Sequence, residues 1–369
     1  MKFVCSKSSL SSALQIVSKA VPSKTTMSIL ECVMIDATED FIRFIANDME
    51  MGIQTDIEGD IIENGYVAID AKIFFEIIRK LPDNEVTVAS DGNGIVTISC
   101  EKSRFNIPGR PGDDFTYLPE IQKIDGITLT QYTLKTLITK TIFSITESDP
   151  NKIMSGELFE IDGSSMRVVS LDGHRISIRK TSLAENYPAR KVIVPGKTLN
   201  EVSRIISDST EEEVHIFFTD KHILFEFNHT LVVSRLIEGE YFNVNQMLSN
   251  DYETKVSLNR KEFVSCIDRA TLLVKEGDKK PVIITIGDTS LQLKINSTMG
   301  SMNEDLDVDK KGKDIMIGFN PKFLLDALRV IEDETVDLYF VNPKAPCFIK
   351  DTADSYVYLV LPVNFTTVD

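Results

Sequence analysis

Apolar positions along the chain recur at helical spacing in three segments that align without a gap at a constant offset of 125 residues. Ile69-Asp-Ala-Lys72-Ile-Phe-Phe-Glu76-Ile-Ile-Arg79 aligns with Val194-Pro-Gly-Lys197-Thr-Leu-Asn-Glu201-Val-Ser-Arg204, and then with Phe319-Asn-Pro-Lys322-Phe-Leu-Leu-Asp326-Ala-Leu-Arg329. Lys, an acid and Arg fall at i, i+4 and i+7 in every copy, which is one face of a helix. The apolar face is Phe74, Ile77, Ile78 and Leu81 in the first copy and Leu199, Val202 and Ile206 in the second, where Ser203 interrupts it. In the third it is Leu324, Ala327, Leu328 and Ile331. The pattern predicts amphipathic helices over 70–80, 195–206 and 319–331, each after a short apolar strand at 66–69, 192–194 or 315–317. A second helix per copy is predicted earlier in each repeat, over 7–20, 130–144 and 259–275, with looser spacing.

Between the helices lie alternating stretches with turn dipeptides, such as 87–99 around Asp91-Gly-Asn-Gly94, which predict hairpins. The fold class that follows is α+β: three similar domains of two helices and antiparallel strands, over 1–122, 127–250 and 252–369. The 369 residues suffice for three cores of ordinary size. No apolar run approaches the roughly 18 residues of a membrane span, and the start of the chain alternates like a strand instead of forming a signal core, so a cytosolic protein is expected. The five Cys have no C-x-x-C spacing and are expected as buried apolar residues, with no metal site or cofactor.

The net charge of −16 argues against binding a phosphate backbone until its distribution is read. The six helical segments hold 15 basic and 6 acidic residues, while the remainder holds 25 and 50. Glu favours helices about as well as Lys does, so its scarcity there indicates one surface kept positive on an acidic protein. Lys and Arg contacts to phosphates are blind to base sequence, and such a surface binds duplex loosely and in a salt-dependent way. The candidate DNA-facing residues are Lys72, Arg79, Lys135, Lys140, Lys197, Arg204, Lys261, Arg269, Lys322 and Arg329, with Lys24 in the polar loop after the first helix.

Further motifs carry the reading to a family. Ser28-Ile-Leu-Glu-Cys-Val33, Asn47-Asp-Met-Glu-Met51, Lys102-Ser-Arg-Phe105, Gly156-Glu-Leu-Phe159 and Leu171-Asp-Gly-His-Arg175 appear in order. They are followed by Arg235-Leu-Ile-Glu-Gly239, Ile317-Gly-Phe-Asn320, Leu325-Asp-Ala-Leu328 and Tyr358-Leu-Val-Leu-Pro362. With these the chain resembles, along essentially its whole length, the bacterial DNA polymerase III beta subunit family, the sliding clamps. The resemblance implies a non-catalytic protein whose two copies pair head to tail into a closed ring, with helices lining a hole that encircles duplex DNA. It implies as partners a polymerase alpha subunit, the clamp loader, and other polymerases or repair factors, bound through short linear peptides, and no membrane.

The peptide pocket so implied comprises Met154, Leu171, Gly173, His174, Arg175, Ile176, Phe242, Met247, Asn320, Phe323, Pro346, Leu359, Leu361, Pro362 and Val363. Apolar and Met walls suit Leu or Phe anchors, and His174, Arg175 and Asn320 could orient the peptide backbone. Asn151, Phe242 and Asn364 depart from common family residues, which bears on peptide preference. The implied ring contact sets Lys102, Arg104, Phe105 and Ile107 of one copy against Leu272, Leu273, Glu304 and Asp305 of the other.

Other chemistries are weaker. Gly196-Lys197-Thr198 ends like a phosphate loop but lacks the Gly five residues before the Lys. His215, His222 and His229 are evenly spaced in strand-like segments, with the first and last expected on one face, and no ligand set accompanies them. Asp172 and His174 have no nucleophile motif beside them. A protein-only scaffold and an enzyme acting on a small molecule are the competing classes.

Overall fold

Each α-helix begins where a strand ends, and at four of these junctions, Ser6, Asp70, Asn259 and Asn320, a side chain supplies the cap. The computed structural model describes residues 1–91, 93–115, 119–146, 150–274, 280–351, 353 and 355–365. Its six α-helices among the described residues are α1 (Lys7–Val17), α2 (Ala71–Lys80), α3 (Gln131–Thr139), α4 (Gly196–Ile205), α5 (Arg260–Thr271) and α6 (Pro321–Arg329). Ser6 ends the strand Lys2–Ser6 and its hydroxyl accepts from the Ser9 N–H at 3.0 Å. Asp70 ends Tyr66–Asp70 and accepts from Ile73 N–H at 2.8 Å, and Asn259 ends Thr254–Asn259 and accepts from Glu262 N–H at 3.1 Å. Each cap satisfies a helix N–H that would otherwise lack a partner.

The expected apolar stripes face inward. Phe74, Ile78, Leu199, Val202, Leu324 and Leu328 are fully buried, and Ser203 is buried with them. Three helices end earlier than their periodicity predicts: α1 gives way to a 3-10 turn at Ser18–Ala20, α3 stops at Thr139 and α5 at Thr271, while Lys275 lies outside the described residues. After α3 the cause is chemical. The Thr139 hydroxyl donates to the Lys135 carbonyl at 2.8 Å and that of Thr141 to Leu137 at 2.7 Å. These hydroxyls take up the carbonyls at the helix end, and a 3-10 turn follows at Ile142–Ser144.

All strand pairs among the described residues are antiparallel. The chain divides into two compact units, Met1–Tyr132 with Glu201–Leu236, and Thr133–Asn200 with Ile237–Asp369. In the first, strands run in one 13-stranded order in which Thr230–Arg235 lies against Met51–Ile57, with Thr230 opposite Thr55. The hydroxyls of that pair meet at 2.8 Å, both buried. α1 packs on α2 in this unit.

The second unit holds a seven-stranded and a four-stranded sheet. Here Arg175–Pro195 pairs with Gly156–Leu171 on one side and, through Arg175 to Arg179, with Tyr356–Val360 on the other. The short strand expected at 192–194 is thus the end of a 21-residue strand. Its hairpin partner changes register around Gly163, which has φ +59°. α5 and α6 pack together, and Phe263, Ile267, Leu324 and Leu328 share a core with Val256, Ile284, Ile317 and Leu338.

All five Cys are buried and reduced, and burial pushes the Cys5 and Cys266 thiols up to about 12. The three His separate: His215 lies within Glu213–Phe218, His222 opens His222–Phe227, and His229 sits in the following turn with φ +59°. The expected shared face for His215 and His229 does not form, because a turn intervenes after each strand. No helix among the described residues is long and apolar enough to cross a membrane.

Glu157 is fully buried, and neither carboxyl oxygen has a hydrogen-bond partner among the described residues. The adjacent Thr141 hydroxyl gives its proton to Leu137, and desolvation holds the Glu157 carboxyl well above its ordinary range. A carboxyl raised in the folded state contributes stability at low pH that is lost as pH climbs from its unfolded toward its folded value. The stability of Glu157→Gln over the parent is therefore expected to grow with pH from about 4.5 upward, by at most about 1.4 kcal/mol per pH unit. Urea unfolding at a series of pH values checks this, and a difference independent of pH would refute it.

Candidate nucleic-acid and peptide interfaces

Lys72, Lys197 and Lys322 stand in the first turns of α2, α4 and α6, all exposed. A helix N-terminus is the positive end of the helix dipole, so a cation there does not serve helix stability. Asp70 and the side-chain oxygen of Asn320, which accepts from Lys322 N–H at 3.0 Å, supply the local caps instead. Exposed amines at the positive ends of three helices make a surface suited to phosphate. Lys24, Lys72, Lys261 and Lys322 are exposed and form no ion pair with another described residue.

The arginines of the repeat behave differently. Arg79 pairs with Glu76 at 2.7 Å, Arg204 with Glu201 at 2.8 Å, and Arg329 with Asp268 of α5 at 2.6 Å. Glu201 also lies 3.8 Å from Lys19. Lys140 is largely covered and holds Glu332 at 2.7 Å, which keeps that carboxylate below its usual range. Lys135 on α3 is half-buried. Arg269 grips Glu304 through both Nε and Nη2, so one expected DNA-facing residue and one expected ring-contact residue are each other's partners. The sequence reading grouped these cations as one class, and the structure separates unpaired lysines from internally paired cations.

The second candidate site is built on the hairpin Leu171-Asp-Gly-His-Arg175. Asp172 accepts from the His174 and Arg175 N–H groups at 3.0 and 3.1 Å, and Gly173 takes φ +80°, the left-handed conformation such a turn needs. Beside it lies a cavity of about 370 Å³ lined by Met154, Leu171, Gly173, Arg175, Ile176, Phe242, Met247, Pro346, Leu359 and Leu361. Ten of the fifteen expected pocket residues are brought together there. The others adjoin it: the His174 carbonyl accepts from Leu361 N–H at 2.8 Å, His174 stacks on Phe323 at 5.9 Å, and Val363 N–H donates to the Gly318 carbonyl at 2.8 Å. Pro362 lies between those two tethers, and Asn320 caps the helix that carries Phe323. Asn151 accepts from Ile153 N–H at 3.2 Å and so caps the turn Lys152–Ser155 that presents Met154.

Arg175 lines the cavity and is also held from inside the protein. Only 7% exposed, it donates through Nε to Asp172 at 2.9 Å, through Nη1 to Asp326 at 2.6 Å and through Nη2 to the Phe143 carbonyl, with its guanidinium 4.5 Å from the Phe323 ring. Three of its five N–H donors are thus engaged inside the protein. Asp326, read in the sequence as the acid of the third repeat, is thus a support of this site. Phe143 left no signal in the sequence, although its carbonyl accepts from Arg175 and its ring lies 5.5 Å from the guanidinium.

The ring-contact candidates lie on sheet edges. Arg104, Phe105 and Ile107 belong to Ser103–Arg110, which pairs fully with Ile95–Cys100 but with Tyr66–Asp70 only at Gly109 and Arg110. Its other edge is otherwise open among the described residues; Phe105 is 39% exposed and Lys102 occupies the preceding turn. Glu304 and Asp305 lie on Gly300–Asp307, the outer strand of the four-stranded sheet. Leu272, 74% exposed, follows α5, and Leu273 packs on the core behind it.

Models of three successive domains of the DNA polymerase III beta subunit match this chain: the N-terminal domain at residues 1–119, the central domain at 128–243 and the C-terminal domain at 245–364. Beta sliding clamps of Staphylococcus epidermidis and Staphylococcus aureus are each 32% identical over 357 residues, 94% of either chain. A Eubacterium rectale structure assigned to the DNA polymerase III beta subunit has 60% identity and a TM-score of 0.96, over 99% of this chain and 100% of that one. The Bacillus subtilis DNA polymerase sliding clamp has 31% identity and the same TM-score and coverage.

Proposed function

The chain belongs to the DNA polymerase III beta subunit family, the sliding clamps, and from that premise we propose that two copies close head to tail into a ring around duplex DNA. It is a replicative clamp with a three-domain clamp fold, a non-catalytic processivity subunit whose partners are DNA and a polymerase. In our reading the three repeats are domains over 1–122, 127–250 and 252–369, and the protein works in the cytoplasm.

The observation that carries the DNA contact is the exposed lysine in the first turn of a helix in each of three repeats. These amines meet phosphates without reading bases, and the acidic remainder of the chain repels duplex elsewhere. The ring closes by antiparallel addition of the open edge of Ser103–Arg110 to the outer edge of Gly300–Asp307 in the other copy. Basic Lys102 and Arg104 then oppose Glu304 and Asp305 around Phe105, Ile107, Leu272 and Leu273. A closed ring holds DNA by topology, so loose phosphate contacts permit sliding, and tethering raises the local concentration of polymerase at the primer end.

The apolar cavity beside Leu171-Asp-Gly-His-Arg175 receives short linear peptides of the polymerase alpha subunit, the clamp loader and other polymerases or repair factors. Its Met and Leu walls adapt to Leu or Phe anchors. Negative-stain imaging of the purified protein without DNA is expected to show a ring of pseudo-six-fold outline with an open centre; a particle without a hole would overturn the ring. Truncating Met247 and Leu361 together to Ala is expected to weaken binding of an anchor peptide by about a hundredfold, from the loss of two large apolar contacts, while the ring persists. Unchanged peptide affinity by fluorescence anisotropy would remove this cavity from the reading.

A further inference from the structure

Sulfur is the softest atom in the chain, and its exposure is uneven. All five Cys are buried, and burial holds each thiol above its ordinary range, so the thiolate that a peroxide attacks is scarce. The thioether of Met has no proton to lose and is oxidised where solvent reaches it. Met34, Met51 and Met166 are buried, whereas Met27, Met49, Met247, Met299 and Met316 are exposed. Of these exposed residues only Met247 lines the apolar cavity. Its side chain is 51% exposed, yet its backbone is fixed. The Met247 N–H donates to the Val244 carbonyl at 2.9 Å, closing the 3-10 turn Val244–Gln246, and within that turn Asn245 Oδ1 accepts from Arg167 Nη1 at 2.9 Å. Val244 and Leu248 pack in one core with Leu171, Ile176 and Leu359, which line the same cavity. The fold thus holds a solvent-reachable sulfur in the cavity wall.

The chemistry of that wall decides what oxidation does. Arg175 apart, every described lining residue is apolar or glycine, and the Arg175 guanidinium is already engaged by Asp172, Asp326 and the Phe143 carbonyl. A sulfoxide is a polar hydrogen-bond acceptor. Facing an apolar anchor, it loses its water with no replacement; turned to solvent, it withdraws the surface on which the anchor packs. We propose that Met247 is a reversible oxidation site, and that its conversion to the sulfoxide by a hydroperoxide releases apolar anchor peptides from this cavity. The peroxide O–O bond breaks and its terminal oxygen bonds to the sulfur. The proton on that oxygen passes to the other oxygen, which leaves as water or an alcohol. The sulfur gives up two electrons and the peroxide takes them. A bound peptide covers the same sulfur, so occupancy slows the oxidation. This role rests on the reading of the cavity as a peptide site.

In the test, the full-length protein is treated with dilute hydrogen peroxide, the peroxide is removed, and a fluorescein-labelled synthetic peptide with a Leu-Phe anchor in Ser-Gly flanks is titrated by anisotropy. The tryptic fragment 236–255 contains Met247 and no other Met, so its mass reports that oxygen directly. One oxygen on this fragment is expected to weaken the peptide about tenfold, and methionine sulfoxide reductases with a dithiol reductant are expected to restore the affinity. Saturating peptide is expected to slow oxidation of Met247 and not that of Met49. Met247→Leu, compared with its own untreated affinity, is expected to lose nothing on treatment. Any of three results would overturn the proposal: Met247 stays unoxidised while Met49 takes up oxygen, the Met247 sulfoxide binds the peptide as tightly as the thioether, or Met247→Leu loses affinity as the parent does. If the untreated parent does not bind the peptide, the cavity is not a peptide site and its control by oxidation falls with that reading.

Discussion

Reversing Lys72, Lys197 and Lys322 together to Glu is expected to remove nearly all measurable affinity for a short duplex while leaving anchor-peptide binding unchanged. These amines are exposed in the first turns of α2, α4 and α6, where a carboxylate suits the helix dipole better than an ammonium does. The variant is therefore expected to fold as well as the parent, and the loss is assignable to contact with phosphate. In a two-copy ring the change removes six cations, so the slope of log K against log salt is expected to fall in magnitude by about five. Fluorescence anisotropy on a labelled duplex across a salt series measures this. Neutralising Arg79, Arg204 and Arg329 instead is expected to do much less, since Glu76, Glu201 and Asp268 already hold them. Equal loss of duplex and peptide binding in the lysine variant would show that the two surfaces are not separate.

Arg175→Met is expected to destabilise the fold by about 2–3 kcal/mol, below the roughly 3–5 kcal/mol of a fully buried pair, because the carboxylates it leaves without their cation are only partly buried. Two are left here, Asp172 and Asp326, together with the Phe143 carbonyl that accepts from the same guanidinium. Adding Asp326→Asn to Arg175→Met is expected to restore part of the loss, because one stranded charge is gone. Urea unfolding of the single and double variants is the measurement. A change below about 1 kcal/mol for Arg175→Met would mean that both carboxylates find water or other donors, and that the hairpin tip does not depend on this residue.

The repeat was legible because its signal is local: Lys, acid, Arg and an apolar stripe within eleven residues, three times. The turn at Leu171-Asp-Gly-His-Arg175 was legible for the same reason, since Asp-Gly specifies the backbone that the structure adopts. Helix ends were less so. At Thr139 and Thr141 the hydroxyl competition that ends α3 leaves the apolar spacing intact, so periodicity alone ran on to 144. Least legible were features made by distant residues. Nothing near Thr230 announces that it lies opposite Thr55, 175 positions away, and nothing near Arg175 announces Asp326 or Phe143. The charge count likewise found a basic set of helices but could not tell Lys72, which is unpaired among the described residues, from Arg269, which Glu304 holds.

The middle repeat gives Thr230–Arg235 to the sheet of the first unit and Arg175–Pro195 to a sheet of the second. A strand withdrawn from either place would leave a row of amide and carbonyl groups on Met51–Ile57 or Tyr356–Val360 with no partner. During synthesis, therefore, the amino-terminal unit cannot finish when its own repeat has left the ribosome. It must wait for residue 236, more than a hundred residues later, with an open strand exposed meanwhile. The central repeat expressed by itself would offer two sticky borders and self-associate. Its smallest independently folding piece is consequently expected to be larger than the unit that evolution duplicated.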